Sequence, residues 1–167
     1  MDMTIVPLNE TYCDAVATLE ATCFGTDAWP REVFTELLKT YAESPDFRGQ
    51  VWVAVDGHSR AVLGYVALEV SSLGEAELTN LAVAPTCRRQ GVGRLLSSFV
   101  MSICQEIGAS LLWLRVRASN RRAVEFYKAC GFAVRGEFRD YYEDPVEDAL
   151  IMAVELLAEE EGEERGG

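Results

Sequence analysis

Residues 78–100, LTNLAVAPTCRRQGVGRLLSSFV, constrain this chain more than any other stretch. Leu81, Ala82, Val83 and Ala84 form an apolar run of the kind that makes a buried strand. Pro85 ends it, because proline offers no N–H to a ladder. Arg88, Arg89, Gln90, Gly91, Val92, Gly93 and Arg94 follow, and then an apolar stripe at helical spacing through Leu95, Leu96, Phe99, Val100, Ile103 and Ile107. A strand that turns through glycines into a helix exposes the free amides of the first helical turn, at the positive end of the helix dipole. Such a turn suits a phosphate, and glycine lets the backbone come close to it. Two glycines can also be plain strand-to-helix punctuation. The loop lacks the three-glycine dinucleotide pattern and the lysine-hydroxyl pair of a nucleoside triphosphate loop.

The remaining sequence bounds what such a loop can serve. A chain of 167 residues is expected to form one domain with its own core, over residues 1–157. The charge run that follows, residues 158–167, reads as an acidic, disordered tail. Lys and Arg total 15 against 27 Asp and Glu, a net charge of -12, which argues against nucleic acid as a partner. The acidic surface favours solubility and could steer basic substrates at long range. No apolar stretch approaches the ~20 residues of a membrane span. Residues 1–7 show no basic segment followed by an apolar core, so neither membrane nor secretion is expected and the cytoplasm is. The five cysteines, Cys13, Cys23, Cys87, Cys104 and Cys130, have no metal-pair spacing and read as reduced, mostly core residues. The single histidine, His58, sits beside a turn at Asp56-Gly57, a poor place for a catalytic imidazole.

In chain order, residues 4–7 suggest a short strand, and Asn9 can cap a helix carrying Tyr12, Ala15, Val16, Leu19 and Cys23. After a break at residues 25–30, Pro30 suits the first turn of a second helix with Phe34, Leu37, Leu38 and Tyr41 on one face. Residues 50–55 and 61–70 read as a hairpin, and 78–83 extend the sheet after a turn. The central helix ends near Gly108, and 111–116 (LLWLRV) read as a strand buried on both faces. Ser119 and Asn120 can cap a helix over 121–130. Residues 132–138 and 149–156 look like a closing antiparallel pair. The fold class is α/β: a mixed central sheet flanked by about four helices.

Arg88-Arg89-Gln90-Gly91-Val92-Gly93 matches the Arg/Gln-x-x-Gly-x-Gly/Ala signature, and with Leu81-Ala82-Val83 before it the chain resembles the GNAT acyl-CoA N-acyltransferases. The order of elements is the GNAT order. Trp113-Leu114-Arg115-Val116-Arg117-Ala118-Ser119-Asn120 resembles the RimI branch, whose members acetylate a protein N-terminus, typically an alanine of a small-subunit ribosomal protein. So do Ala123, Phe126, Tyr127 and Gly131-Phe132, and Arg139-Asp140-Tyr141-Tyr142 followed by residues 147–152. The resemblance implies acetyl-CoA as acyl donor and no metal. It places the cofactor on Leu81, Ala82, Val83, Arg88, Arg89, Gln90, Gly91, Val92, Gly93, Arg94, Asn120 and Tyr127. The implied acceptor is a protein or peptide N-terminus, a basic ribosomal protein among the candidates.

An ammonium must lose a proton before its nitrogen attacks a thioester, and the departing thiolate is best protonated as it leaves. The resemblance assigns the second task to Tyr127, whose phenol is protonated at neutral pH; its alternative is a core aromatic. Asn120 either contacts CoA or only caps its helix. Trp29, Tyr141 and Tyr142, the last two between the closing strands, are the expected walls of the peptide groove; ordinary packing is the alternative. At the position of the branch's basic glutamate this chain has Arg115, which cannot take a proton. Glu77, on the neighbouring strand, is the expected replacement, unless it and Arg115 form a structural ion pair and another carboxylate such as Glu75 is the base. The alternative activities are acetylation of a small amine or a lysine side chain, or a weakly active acyl-CoA-binding module.

Overall fold

The computed structural model describes residues 2–43 and 49–156. Seven strands form one sheet in the order β1-β2-β3-β4-β5-β7-β6: β1 Met3–Pro7, β2 Gly49–Asp56, β3 Val62–Val70, β4 Glu75–Val83, β5 Leu111–Arg117, β6 Ala133–Tyr142 and β7 Glu147–Glu155. All neighbours run antiparallel except β4 and β5, which are joined by a helical crossover, as parallel strands require. The helices are α1 Glu10–Phe24, α2 Arg31–Glu43, α3 Val92–Glu106 and α4 Arg121–Ala129. Asn9 caps α1 by accepting from Thr11 N–H at 3.0 Å, as its side chain suggested. The expected acidic tail, residues 158–167, lies outside the described residues.

Both faces of the sheet are covered, but unequally. On one face Leu96, Val100 and Cys104 of α3, with Val124 and Tyr127 of α4, pack on Leu78, Leu112, Leu114, Val116 and Met152. On the other, Cys13, Val16 and Leu19 of α1 and Phe34 of α2 pack on Val51, Val53, Val55, Tyr65, Ala67 and Ala82. Among its described residues this second core includes none from β5, β6 or β7. The expectation that residues 111–116 are buried on both faces is therefore corrected. Leu112, Leu114 and Val116 are buried, while Trp113, Arg115 and Arg117 are only half-buried on the opposite face. Four other apolar residues expected in helical stripes, Ala15, Tyr41, Leu95 and Ile107, are exposed.

Tyr141 and Tyr142 do not lie between the closing strands but are the last two residues of β6, which runs past the expected end at Phe138. The register with β7 shifts between Phe138 and Tyr142, so the strand continues through an irregularity that breaks the alternation a sequence pattern relies on.

Candidate active site

Two departures from regular pairing build the site. In the first, Ala67 of β3 faces Asn80 of β4 and Leu68 faces Leu78, leaving Thr79 as the extra residue of a bulge. Ahead of the bulge Ala76 and Leu78 face the α3 side; beyond it Ala82 faces α1, while Leu81 and Val83 pack toward α3. In the second, β4 and β5 pair only at Glu75, Ala76 and Glu77 with Leu111, Leu112 and Trp113. Beyond those pairs the two strands carry no ladder between them, and their C-terminal halves form the two sides of a gap.

The glycine loop lies at the end of β4. Pro85–Cys87 forms a short 3₁₀ turn, after which Arg89 and Gly91 adopt left-handed backbones with φ of 64° and 85°. No side chain caps α3. Amides of its first turn, at Val92, Gly93 and Arg94, therefore remain open to an anion, next to the exposed Arg88, Arg89, Gln90 and Arg94. Val92 is buried with its side chain in the core, so only its backbone can serve a ligand. Gly93 has a different reason to be small. A Cβ there would stand 3.0 Å from Phe126 Cζ on α4, so the first turn of α3 and α4 pack too closely for a side chain. This donor set fits a pyrophosphate.

Asn120 begins α4 at the end of β5, where its side chain accepts from Ala123 N–H at 3.2 Å, which establishes the capping role. Tyr127, in the last turn of α4, is buried against Phe126 and Phe132 in edge-to-face contacts with centroids 5.2 and 5.6 Å away. Burial first, then the proximity of Cys130 and Tyr142, pushes its phenol upward, so it stays protonated. Its hydroxyl donates to no described residue.

On the opposite side of the gap, Glu77 meets Arg115 across the parallel strands. Arg115 Nη2 and Nε both donate to Glu77 Oε1, at 2.5 and 3.2 Å, leaving Oε2 without a partner among the described residues. The guanidinium carbon lies 5.0 Å from the Trp113 ring centroid and 4.9 Å from that of Tyr141. Burial opposes the Arg115 charge, and the bonds to Glu77 more than offset it. The ion pair that the sequence left as an alternative is thus present, and it still leaves Glu77 one free oxygen.

Arg117, two residues on, was not singled out in the sequence and draws together segments distant in the chain. Nε and Nη2 donate to Asp27 Oδ2 and Oδ1 at 2.6 and 2.8 Å, Nη1 to Glu147 Oε1 at 3.3 Å and Pro145 O at 3.0 Å, and Nη2 to Glu143 O at 3.2 Å. Its guanidinium lies 4.4 Å from the Tyr142 centroid. The bond to Asp27, ahead of the other contacts, raises its already high pKa. Burial pushes the Tyr142 phenol up to about 12. Asp27 belongs to a 3₁₀ turn, Gly25–Asp27, in the break between α1 and α2, so this arginine fastens that break to the β6–β7 hairpin.

Trp29 lies in the same break, held from behind by Glu20. Glu20 is fully buried on α1; its Oε1 accepts from Trp29 N–H at 3.1 Å and from Asn80 Nδ2 at 2.7 Å. Its Oε2 has no partner among the described residues, and burial raises the carboxyl. The sequence did carry a signal for it: with Cys13 and Val16, Glu20 occupies the stripe that α1 turns to the core. His58 is an exposed turn residue, and no group of three or more His, Cys, Asp or Glu among the described residues could hold a metal. Shallow surface depressions of about 670 and 400 Å³ are lined by α1 and α2 residues that include none of the candidate side chains.

Comparison with known proteins agrees with this geometry. Residues 13–132 match the model of the acetyltransferase (GNAT) family. A Bacillus subtilis protein provisionally named ribosomal protein bS18-alanine N-acetyltransferase is 35% identical over 144 residues, 86% of this chain and 89% of its own length. The crystal structure of the Escherichia coli ribosomal-protein-S18-alanine N-acetyltransferase superposes with a TM-score of 0.77 at 31% identity, covering 95% of this chain and 97% of that one. Vibrio cholerae spermidine/spermine N-acetyltransferase, at 22% identity and a TM-score of 0.74 over 93% of both chains, shares the fold. With its gap between β4 and β5 and its uncapped glycine loop, the chain belongs to the GNAT acetyltransferase family.

Proposed function

We propose that this protein transfers an acetyl group from acetyl-CoA to the α-amine of a protein N-terminus, with an N-terminal alanine of a ribosomal protein as the leading acceptor. The observation that carries the reading is the likeness, over nearly the whole chain, to the E. coli enzyme that acetylates such an alanine. When bound, acetyl-CoA supplies a thioester carbonyl already activated for attack. The amides of Val92, Gly93 and Arg94, with Arg88, Arg89 and Gln90, are suited to its pyrophosphate. Leu81, Ala82, Val83 and Asn120 would meet the remainder of the cofactor.

Glu77 Oε2 is the proton acceptor this reading prefers, and Tyr127 the donor, since burial keeps that phenol protonated. Trp29, Tyr141 and Tyr142 would bound the acceptor. Acceptor chemistry supports an α-amine. Its reference pKa of about 7.7–8.0 leaves a useful neutral fraction near pH 7.5, whereas a lysine amine near 10.4 is almost wholly charged. A carboxylate already holding an arginine suits the easier of these two deprotonations. Mass spectrometry of short peptides with varied first residues, incubated with acetyl-CoA, tests the proposal. Acetyl found on lysine side chains or polyamines but on no α-amine would overturn it.

A further inference from the structure

Arg115 and Arg117 stand on the same face of β5, yet they are used in opposite ways. All five N–H donors of Arg117 are spent on Asp27, Glu147 and the carbonyls of Glu143 and Pro145. Arg115 makes two hydrogen bonds, both to one oxygen of Glu77, so three of its donors have no partner among the described residues. Its side chain is 29% exposed, and the Trp113 and Tyr141 rings lie beside its guanidinium. A cation held this way has already lost most of its rotamer freedom, so a new partner meets a pre-organised fork. With Nε and Nη2 turned to Glu77, the Nη1–Nη2 edge remains, and that edge matches a carboxylate.

Resting on the N-terminal acetylation reading, we propose that Arg115 selects acceptors carrying a carboxylate within two residues of the reactive amine. The positive charge has a second effect in the same place: it disfavours a neighbouring ammonium and so favours the neutral amine that attacks. Nearby acids do not cancel this charge twice over. Asp27 and Glu147 are bound by Arg117, and among the described residues only Glu77 engages Arg115. The chain's net charge of -12 repels an acidic acceptor at long range. Physiological salt screens that repulsion beyond about 8 Å.

The test measures kcat/KM for otherwise identical peptides beginning Ala-Glu, Ala-Gln and Ala-Arg, with free alanine as a fourth acceptor. Ala-Glu is expected to exceed Ala-Gln by about tenfold, the discrimination of one partly exposed charge-assisted pair. Arg115→Gln should bring that ratio near one with the KM for acetyl-CoA unchanged, and Arg115→Lys should keep part of it. Tyr141→Leu, which retains the charge and removes one ring, should lower the ratio if Arg115→Gln does not fold. Free alanine used as well as the Ala-Glu peptide assigns the recognised group to an α-carboxylate; its rejection assigns it to a side chain. Equal use of Ala-Gln or Ala-Arg by the parent, or a ratio that survives in Arg115→Gln, overturns the inference. Failure to acetylate any peptide overturns the N-terminal reading itself, a different result.

Discussion

Glu77 and Arg115 face each other from parallel strands with both hydrogen bonds on a single carboxylate oxygen. An ion pair of this form positions the carboxylate while leaving Oε2 to accept a proton. Glu77→Gln should therefore lower turnover by about 10²-fold near pH 7, the usual size of a lost general base. Activity should recover as pH rises past the acceptor's own pKa and the amine deprotonates unaided. Parallel pH-rate profiles of variant and parent check this. Profiles that coincide at every pH would remove Glu77 from the chemistry.

Tyr127→Phe removes one oxygen from a ring that packs on Phe126 and Phe132. The hydroxyl bonds no described residue, so thermal stability and acetyl-CoA affinity should change little. Turnover should fall about 10²-fold if the phenol protonates the departing thiolate. Turnover equal to the parent's would return Tyr127 to a packing role.

The two loop glycines should fail differently. Gly91, at φ 85°, has nothing within 4 Å of an added Cβ, so Gly91→Ala should cost about 1 kcal/mol through its left-handed backbone alone. Gly93→Val drives into Phe126 and should lower Tm further. Calorimetric titration of both variants with acetyl-CoA then separates affinity from folding. A Gly93→Val protein as stable as Gly91→Ala would refute the packing argument.

Glu20 sets a pH dependence of stability whose sign follows from its raised carboxyl. Between the unfolded pKa of about 4.3 and its higher native value, the native state keeps a proton that the unfolded state has lost. Its contribution is thus fully present below about pH 4.3 and is lost as pH rises through the native pKa. Glu20→Gln keeps an acceptor for Trp29 N–H and does not titrate. Its denaturant midpoint relative to the parent should rise between pH 4 and pH 8. A difference that is constant across that range would show that Glu20 is not held protonated.

Thiol reactivity should divide the cysteines. Cys13 and Cys104 are fully buried, and burial pushes the Cys104 thiol up to about 11 and that of Cys13 also upward. Cys23, Cys87 and Cys130 are half-buried. At pH 8 a thiol reagent should modify no more than three cysteines in the native protein and all five in denaturant. Four or more modified in the native state would contradict the packing of α1 or α3.

What the sequence reveals here is what neighbouring residues determine together. The strand, glycine loop and helix from Leu81 to Leu96 are legible because composition changes abruptly at Pro85 and Gly91. The caps at Asn9 and Asn120 are legible because capping is a local hydrogen bond. The half-buried face of β5 was not, because LLWLRV is apolar enough for full burial and only the reach of α1 and α2 decides otherwise. Arg117 carried no signal, since its partners Asp27 and Glu147 lie 90 and 30 residues away. Tyr141 and Tyr142 were assigned to the wrong element, because β6 continues through an irregular register.

The extra residue at Thr79 makes β4 behave as a message whose reading frame changes midway. Side chains before it and after it are assigned to opposite sides by opposite parity, so one strand furnishes Glu77 to one compartment and Leu81 and Val83 to another. Pairing that residue in register, with no bulge, would leave every side chain of the strand chemically intact. It would also misaddress half of them, turning Leu81 and Val83 to the face that carries Glu77 without altering either.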